Sequence, residues 1–287
     1  MYSTVNLVII NTKGGVNMST INLLLGSDPE LFSKDKSGNF ISVHDKLPGT
    51  KEAPHRVKNG AVQVDGTAAE FNIDPASSED EFITNIDSVM RQLQAMLGDD
   101  LQLANDPVAQ YGREYMSTLP DSALELGCDP DFNAYTGEEN PRPDADVDFR
   151  TGAGHIHFGW GTGFDPTSPS HMEACCMLTK QLDYVLGIPS LMWDKNDNRR
   201  SLYGKAGAFR PKTYGMEYRV LSNAWVGNEK LSRWIYRRAQ EAFFSLVEGD
   251  AFYQNCQDAV QNIINTSDRD SAKRASAVWG GLSLYRG

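Results

Sequence analysis

Gly154-His155-Ile156-His157-Phe158-Gly159-Trp160 alternates imidazoles with large apolar side chains. Residues two apart on an extended strand share a face, so His155 and His157 take one side and Ile156, Phe158 and Trp160 the other. The same alternation recurs three times. Asp28 and Glu30 share a side in Ser27–Phe32, Glu70 and Asn72 in Ala68–Ile73, and Glu217 and Arg219 in Met216–Ser222. Each reverse face is apolar or aromatic, as packing against helices requires. A half-buried sheet with a solvated outer face also alternates charge, and for any one strand that is the better reading. Across four strands, however, the polar residues are Asp, Glu, His and Arg, with the usual Thr, Lys, Ser and Gln nearly missing. Several carboxylates on one face repel one another unless a cation or an arginine neutralises them. Hard carboxylate oxygens suit Mg²⁺ and an imidazole is tolerated by Mn²⁺, so the pattern points to a divalent-cation site.

Working outward, Ile21–Leu25, Gly38–Val43 and Ala61–Val64 read as further strands. Ser78 and Glu81 form a capping box that opens a helix to about Leu97, with Phe82, Ile83, Ile86, Val89, Met90, Leu93 and Leu97 as its core stripe. Ser170 and Glu173 are expected to cap a second helix running to about Leu186. Two more helices cover about Glu229 to Val247 and Gln257 to Ile264. Asp129–Arg150 is expected to be a long irregular loop of the kind that lines sites, and Asn196–Lys212 a basic, glycine-containing loop. The order lacks regular β-α-β alternation. It predicts an α+β fold with a mainly antiparallel sheet, as a single domain over residues 18–287.

The chain has 287 residues, with 27 Lys and Arg against 38 Asp and Glu, for a net charge of −11. That balance argues against nucleic acid as the main ligand, since gripping a phosphate backbone needs clustered positive charge. No apolar run approaches the roughly 18 residues needed to span a membrane. The four cysteines (Cys128, Cys175, Cys176 and Cys256) are too few and too irregular for a disulfide framework, which suits reduced thiols in a cytoplasmic protein.

Near the start, Val5–Asn11 reads as a strand followed by Lys13-Gly14-Gly15-Val16-Asn17-Met18-Ser19-Thr20, superficially a phosphate-binding loop. Asn17 and Met18 stand where that loop needs Gly and Lys, so the loop is not expected to work as one. Lys13-Gly14-Gly15 can instead be encoded by a purine-rich ribosome-binding sequence. Translation is then expected to start at Met18, leaving residues 1–17 as a leader.

Arg199, Arg200, Lys205, Arg210 and Arg219 fall close together around Glu217. Guanidinium groups bind phosphate oxygens in bidentate fashion, so a cation site among arginines suggests phosphoryl chemistry.

Five motifs, in order, are Gly26-Ser27-Asp28-Pro29-Glu30, Asp65-Gly66 with Glu70-Phe71-Asn72, Gly127-Cys128-Asp129-Pro130-Asp131-Phe132-Asn133-Ala134, Gly154-His155-Ile156-His157-Phe158-Gly159, and Glu217-Tyr218-Arg219. Together, from roughly Leu24 to Asn223, they resemble the phage carboxylate–amine ligase (amidoligase) family, which is grouped with the glutamine synthetase and glutamate–cysteine ligase fold. The resemblance implies a glutamine synthetase-like catalytic domain: a curved, mainly antiparallel sheet with helices on its outer face. ATP and Mg²⁺ or Mn²⁺ would lie on the concave side.

By the family pattern Glu30, Glu70, His157 and Glu217 are metal ligands, with Asp28 a further candidate. Arg219, Arg210 and Arg200 are the implied catalytic groups at the transferring phosphoryl group, and His155, Arg199 and Lys205 the nucleotide-binding ones. The implied reaction phosphorylates a carboxylate with ATP, and an amine then displaces phosphate to give an amide. The carboxylate and amine are small molecules or peptides of unspecified identity, and a phage protein would work in the host cytoplasm. Asp28-Pro29-Glu30 departs from glutamine synthetase, which has two glutamates flanking one residue there, and the stretch before Gly26 is not expected to hold that enzyme's separate amino-terminal domain. Two other readings are a metal-dependent hydrolase or cupin-like metalloprotein using His155, His157 and Glu217, and a non-catalytic phage protein on the same fold.

Overall fold

Ala68–Ile73 forms a strand over the span its alternation predicts, with Phe71 and Ile73 buried in the core and Glu70 and Asn72 on the other face. The computed structural model describes residues 21–124, 131–141 and 147–278. The expected leader, the phosphate-loop-like segment, Cys128 and Asp129 lie outside the described residues.

The strands build two main sheets and a ribbon, all antiparallel. The first sheet runs in the order β1 (Leu24–Ser27), β11 (Ile156–Gly159), β13 (Gly215–Tyr218), β12 (Ala208–Lys212) and β9 (Phe132–Asn133). The second runs β3 (Phe40–Ile41), β2 (Glu30–Asp35), β6 (Ala68–Ile73), β5 (Gly60–Asp65) and β4 (His55–Val57), with β7 (Leu101–Ala104) also on β2. The ribbon pairs β8 (Val108–Gln110) with β10 (Phe149–Thr151). The α+β class is as expected, but the single curved sheet is corrected to these separate ones. The break falls at Asp28-Pro29, where the chain leaves β1 and enters β2. Proline has no N–H to donate to a ladder, so pairing cannot run through it.

The helices are α1 (Glu79–Leu97), α2 (Arg113–Met116), α3 (Asp121–Leu124), α4 (Pro169–Leu182), α5 (Ile188–Ser190), α6 (Arg199–Leu202), α7 (Glu229–Glu248), α8 (Gln257–Asn265) and α9 (Arg269–Val278). α1 packs on β5 and β6, α4 on β12 and β13, and α7 on both helices. A continuous core results, joining Leu31, Phe71, Phe82 and Val89 to Ile156, Phe158, Met216, Tyr218 and Phe243. The helices therefore lie against the apolar backs of the sheets, leaving the charged faces on the side away from them.

Several local expectations are corrected. Ser78 caps α1 through the Glu81 amide, but the Glu81 carboxylate accepts from Ser77 rather than completing the reciprocal box. α4 is capped by Ser168, not Ser170, because Pro169 with its fixed φ occupies the first helical position. The helix then passes into a π-turn over Asp183–Gly187, which rotates Asp183 into the core. Gly187 is required there: a Cβ would lie 2.7 Å from Ile264 and 2.9 Å from the Tyr218 hydroxyl. Asn196–Lys212 is not a loop but carries α6 and β12, and the strand predicted over Met216–Ser222 ends at Tyr218. The described parts of the predicted 129–150 loop contain β9 and the start of β10. The sequence predicts no helix at α9, because its segment RDSAKRASAV has no long apolar stripe; its buried residues are the small Ala272 and Ser276. Cys175, Cys176 and Cys256 are free thiols. Among the described residues no helix is long and apolar enough to cross a membrane.

Candidate active site

Strand register sets the site. On the inner face of the first sheet, Gly26 lies opposite His157, His157 opposite Glu217, and Glu217 opposite Arg210. On the second sheet a parallel row places Glu30 opposite Glu70 and Glu70 opposite Gln63. Asp28 stands at the break between the two. Ala153 ties the sheets together: its N–H donates to a Glu30 carboxylate oxygen at 3.0 Å, and its carbonyl accepts from the Glu30 N–H at 2.9 Å.

The solvated-face alternative does not hold for the first sheet: Glu217 is 0% and His155 5% exposed. Asp28 lies 3.0 Å from His157 Nε2 and 3.3 Å from His155 Nδ1, and His155 Nδ1 is also 3.3 Å from Glu217. Glu217 accepts from Arg219 and from Lys212 at 2.9 Å, with Arg210 at 3.5 Å. Arg219 is held from its other side by Asp131 at 3.1 Å. Tyr214 completes the row, its hydroxyl 2.5 Å from His157 Nδ1.

These contacts divide the carboxyls into two kinds. Burial pushes Asp28 and Glu217 up, but the imidazoles beside Asp28 and the Arg219 guanidinium beside Glu217 outweigh it, so both sit well below the usual carboxylate range. Glu30 and Glu70 go the other way. Burial, then the Asp65 charge, raises Glu30 to about 8, and burial with the Asp28 and Asp65 charges lifts Glu70 well above its ordinary value. Burial and the Arg219 charge lower His155 to about 4, whereas His157 is raised because Asp28 overcomes its burial. Near neutral pH the cluster therefore holds two carboxylates ready to ligate and a Glu30 carboxyl that keeps its proton, with Glu70 shifted in the same direction as Glu30.

One ligand atom each from Asp28, His157 and Glu217 lies within 4.8 Å of the others. That spacing and the oxygen–nitrogen donor set fit a Mg²⁺ or Mn²⁺ ion, and a positive charge there would oppose the upward shifts of Glu30 and Glu70 beside them. The cluster separates two clefts. The larger, of about 710 Å³, is walled by Leu24, Ile73, Pro75 and Trp160, with Asp28, Glu70, His157 and Tyr214 also lining it. The smaller, of about 70 Å³, is lined by Glu30, Asp65, Asp131, Arg150, His155 and Arg219, among others.

Of the residues singled out from sequence, Asp28, Glu30, Glu70, His155, His157, Arg210, Glu217 and Arg219 converge here. Arg199, Arg200 and Lys205 do not join the cluster's ion pairs. Arg199 is fully buried and donates through Nε, Nη1 and Nη2 to the carbonyls of Gly152, Val220 and Leu221, bracing the strand ends while one side touches the smaller cleft. Arg200 faces Asp194 at 3.5 Å and lines neither cleft. Lys205 is exposed and lines neither. Sequence reasoning missed Lys212 and Tyr214, and for Asp131 it left the substrate amine and loop anchoring both open. Arg210 and Lys212 share a strand face by their spacing of two, a signal lost when Asn196–Lys212 is read as a loop.

The buried carboxylates, imidazoles and guanidinium meet at the junction of two sheets in an α+β protein, and three of them could together hold a metal ion. Comparison adds a likeness to one family over part of the chain. Residues 144–273 match the family described as phage phiEco32-like COOH.NH2 ligase-type 2, a carboxylate–amine ligase family and the one the motifs resemble. The matched stretch contains His155, His157, Arg210, Lys212, Glu217 and Arg219. No curated protein matches the chain.

Proposed function

We propose that the protein is an ATP- and divalent-metal-dependent carboxylate–amine ligase that forms an amide through an acyl phosphate, on a glutamine synthetase-like fold. One observation carries this reading. Asp28, His157 and Glu217 converge between two clefts, with Arg219 anchored beside them. The larger cleft is within the size of small-molecule sites and has an apolar end suited to a nucleobase and a carboxylate-lined end at the cluster. The smaller admits only the reacting ends of the carboxylate and amine substrates.

The metal would be held by Asp28, His157 and Glu217, with Glu30 and Glu70 as the further ligands. When bound it neutralises phosphate oxygens. The chain's own groups do the rest. Arg219, fixed by Asp131, stabilises charge on the transferring phosphoryl group from the small-cleft side, and Arg210 does so from the neighbouring strand. The substrate carboxylate attacks the γ-phosphorus and ADP leaves. The amine nitrogen then attacks the acyl carbon and inorganic phosphate leaves, while Asp65 and Asp131 on the cleft wall offer oxygens to the amine's departing proton. The tight small cleft limits water, which would hydrolyse the acyl phosphate.

A thermal-shift assay with a non-hydrolysable ATP analogue, with and without Mg²⁺, tests the reading. Stabilisation that requires both together supports the ligase. Stabilisation by metal alone, with no effect of nucleotide, turns the account to a metal-dependent hydrolase.

A further inference from the structure

Glu217 has more groups gathered around it than one carboxylate needs. One oxygen takes the Arg219 guanidinium and His155 Nδ1 at 3.3 Å, and the other takes Lys212 Nζ at 2.9 Å and Arg210 Nη1 at 3.5 Å. A carboxylate has about four acceptor directions, and these four groups crowd them. A metal ion that ligates Glu217 must therefore displace one of these donors.

The structure ranks them. Arg219 has a second anchor on Asp131 and its side chain is 11% exposed, while His155 is shared with Asp28 and nearly buried. Arg210 is 17% exposed, at the longest of these distances. Lys212 is 28% exposed and makes the close contact through a flexible four-carbon stem. It is the donor that leaves most readily.

Register says where it goes. Lys212 lies opposite Gly215, and Gly215 opposite Gly159, which lines the larger cleft. The row of Lys212, Gly215 and Gly159 runs beside the row of Arg210, Glu217 and His157, and both rows reach the larger cleft at their far ends, at Gly159 and His157.

We propose that Lys212 is a phosphate-binding residue held in reserve on Glu217, handed to the nucleotide's terminal phosphates when a divalent cation takes the carboxylate. The lysine and the metal compete for Glu217 in the absence of nucleotide and cooperate in its presence, because the released ammonium then has an anion to meet. This rests on the ligase reading for the presence of metal and nucleotide, and adds a residue and a coupling that the reading does not itself require.

Mn²⁺ is titrated calorimetrically into the full chain as wild type, Lys212→Met and Lys212→Arg, each with and without adenylyl imidodiphosphate. In the wild type the analogue should tighten Mn²⁺ about tenfold, within the usual range of coupled binding. Lys212→Met should bind Mn²⁺ alone roughly twofold to fivefold more tightly than wild type, since an ion pair of this exposure no longer competes. It should lose most of the tightening by the analogue, and Lys212→Arg should retain it. Lys212→Met that binds Mn²⁺ no better than wild type and keeps the full tightening overturns the proposal while leaving the ligase reading intact. A wild type that binds neither Mn²⁺ nor the analogue overturns both.

A second measurement needs no variant. Reductive methylation of wild type, read by mass spectrometry, should modify Lys212 faster with Mn²⁺ alone and more slowly once the analogue is added. A rate indifferent to both additions contradicts the exchange.

Discussion

Replacing Glu30 with Gln should stabilise the metal-free protein, and should do so more as the pH rises. Glu30 lies opposite Glu70 across the β2–β6 ladder, and burial with the Asp65 charge raises its carboxyl from 4.5 to about 8. The folded state therefore binds this proton more tightly than the unfolded chain does. The stability from that difference is fully present below about pH 4.5 and is lost as pH climbs through about 8. At about 1.4 kcal/mol per unit, the wild type carries a penalty of about 1 kcal/mol at pH 5 that grows by about 4 kcal/mol by pH 8.5.

Glutamine keeps the shape and an oxygen for the Ala153 N–H but does not titrate. Urea melts of both proteins in EDTA between pH 5 and 8.5 should diverge by that growing amount, with Glu30→Gln the more stable. Thermal midpoints should separate by roughly 10 °C at the alkaline end. Adding Mn²⁺ should close the gap, because it supplies the missing counter-charge to the wild type alone. A variant that is less stable at every pH, or a difference that does not change with pH, refutes the reasoning.

Mn²⁺ binding at pH 7 should release at least one proton, since Glu30 and Glu70 must ionise to ligate. Calorimetry in buffers of different ionisation heat reads that number, and a value of zero removes both from the ligand set. Arg199→Lys should lower stability by about 3 kcal/mol or more, because a lysine cannot serve all three carbonyls that Arg199 satisfies in the core. An unchanged melting temperature contradicts the bracing role. Lys205→Ala should leave metal and nucleotide affinity unchanged, since Lys205 is exposed and off both clefts. A loss of nucleotide affinity would restore the role its sequence position implied.

The reasons that some of this was legible in the sequence are physical. A period of two fixes which side chains share a face, so Glu70 with Asn72 and His155 with His157 could be assigned before any coordinates. Their apolar partners Phe71, Ile156 and Phe158 then had to face helices. Register between strands is set by tertiary packing and is silent in one sequence. That His157, Glu217 and Arg210 form one row, and that Asp28 spans two sheets, came only from the structure.

Composition misled at Arg199. A basic residue among glycines suggests a phosphate-binding loop, yet this guanidinium is fully buried against backbone carbonyls. A Cβ on Gly204 would lie 1.8 Å from its Nη1, so the nearby glycine makes room for the arginine itself. Lys212 was hidden for the opposite reason: Pro211, Thr213 and Gly215 around it are turn-forming types, although Lys212 ends a strand.

The central claim is that Asp28, His157 and Glu217 hold a divalent cation against a nucleotide's phosphates. A crystal grown with Mn²⁺ and a non-hydrolysable ATP analogue, measured at the manganese absorption edge, addresses it directly. An anomalous peak within ligating distance of those three residues, with the analogue's terminal phosphate beside it, is the expected result. Manganese bound only at surface carboxylates, with His157 still paired to Asp28, would contradict the account.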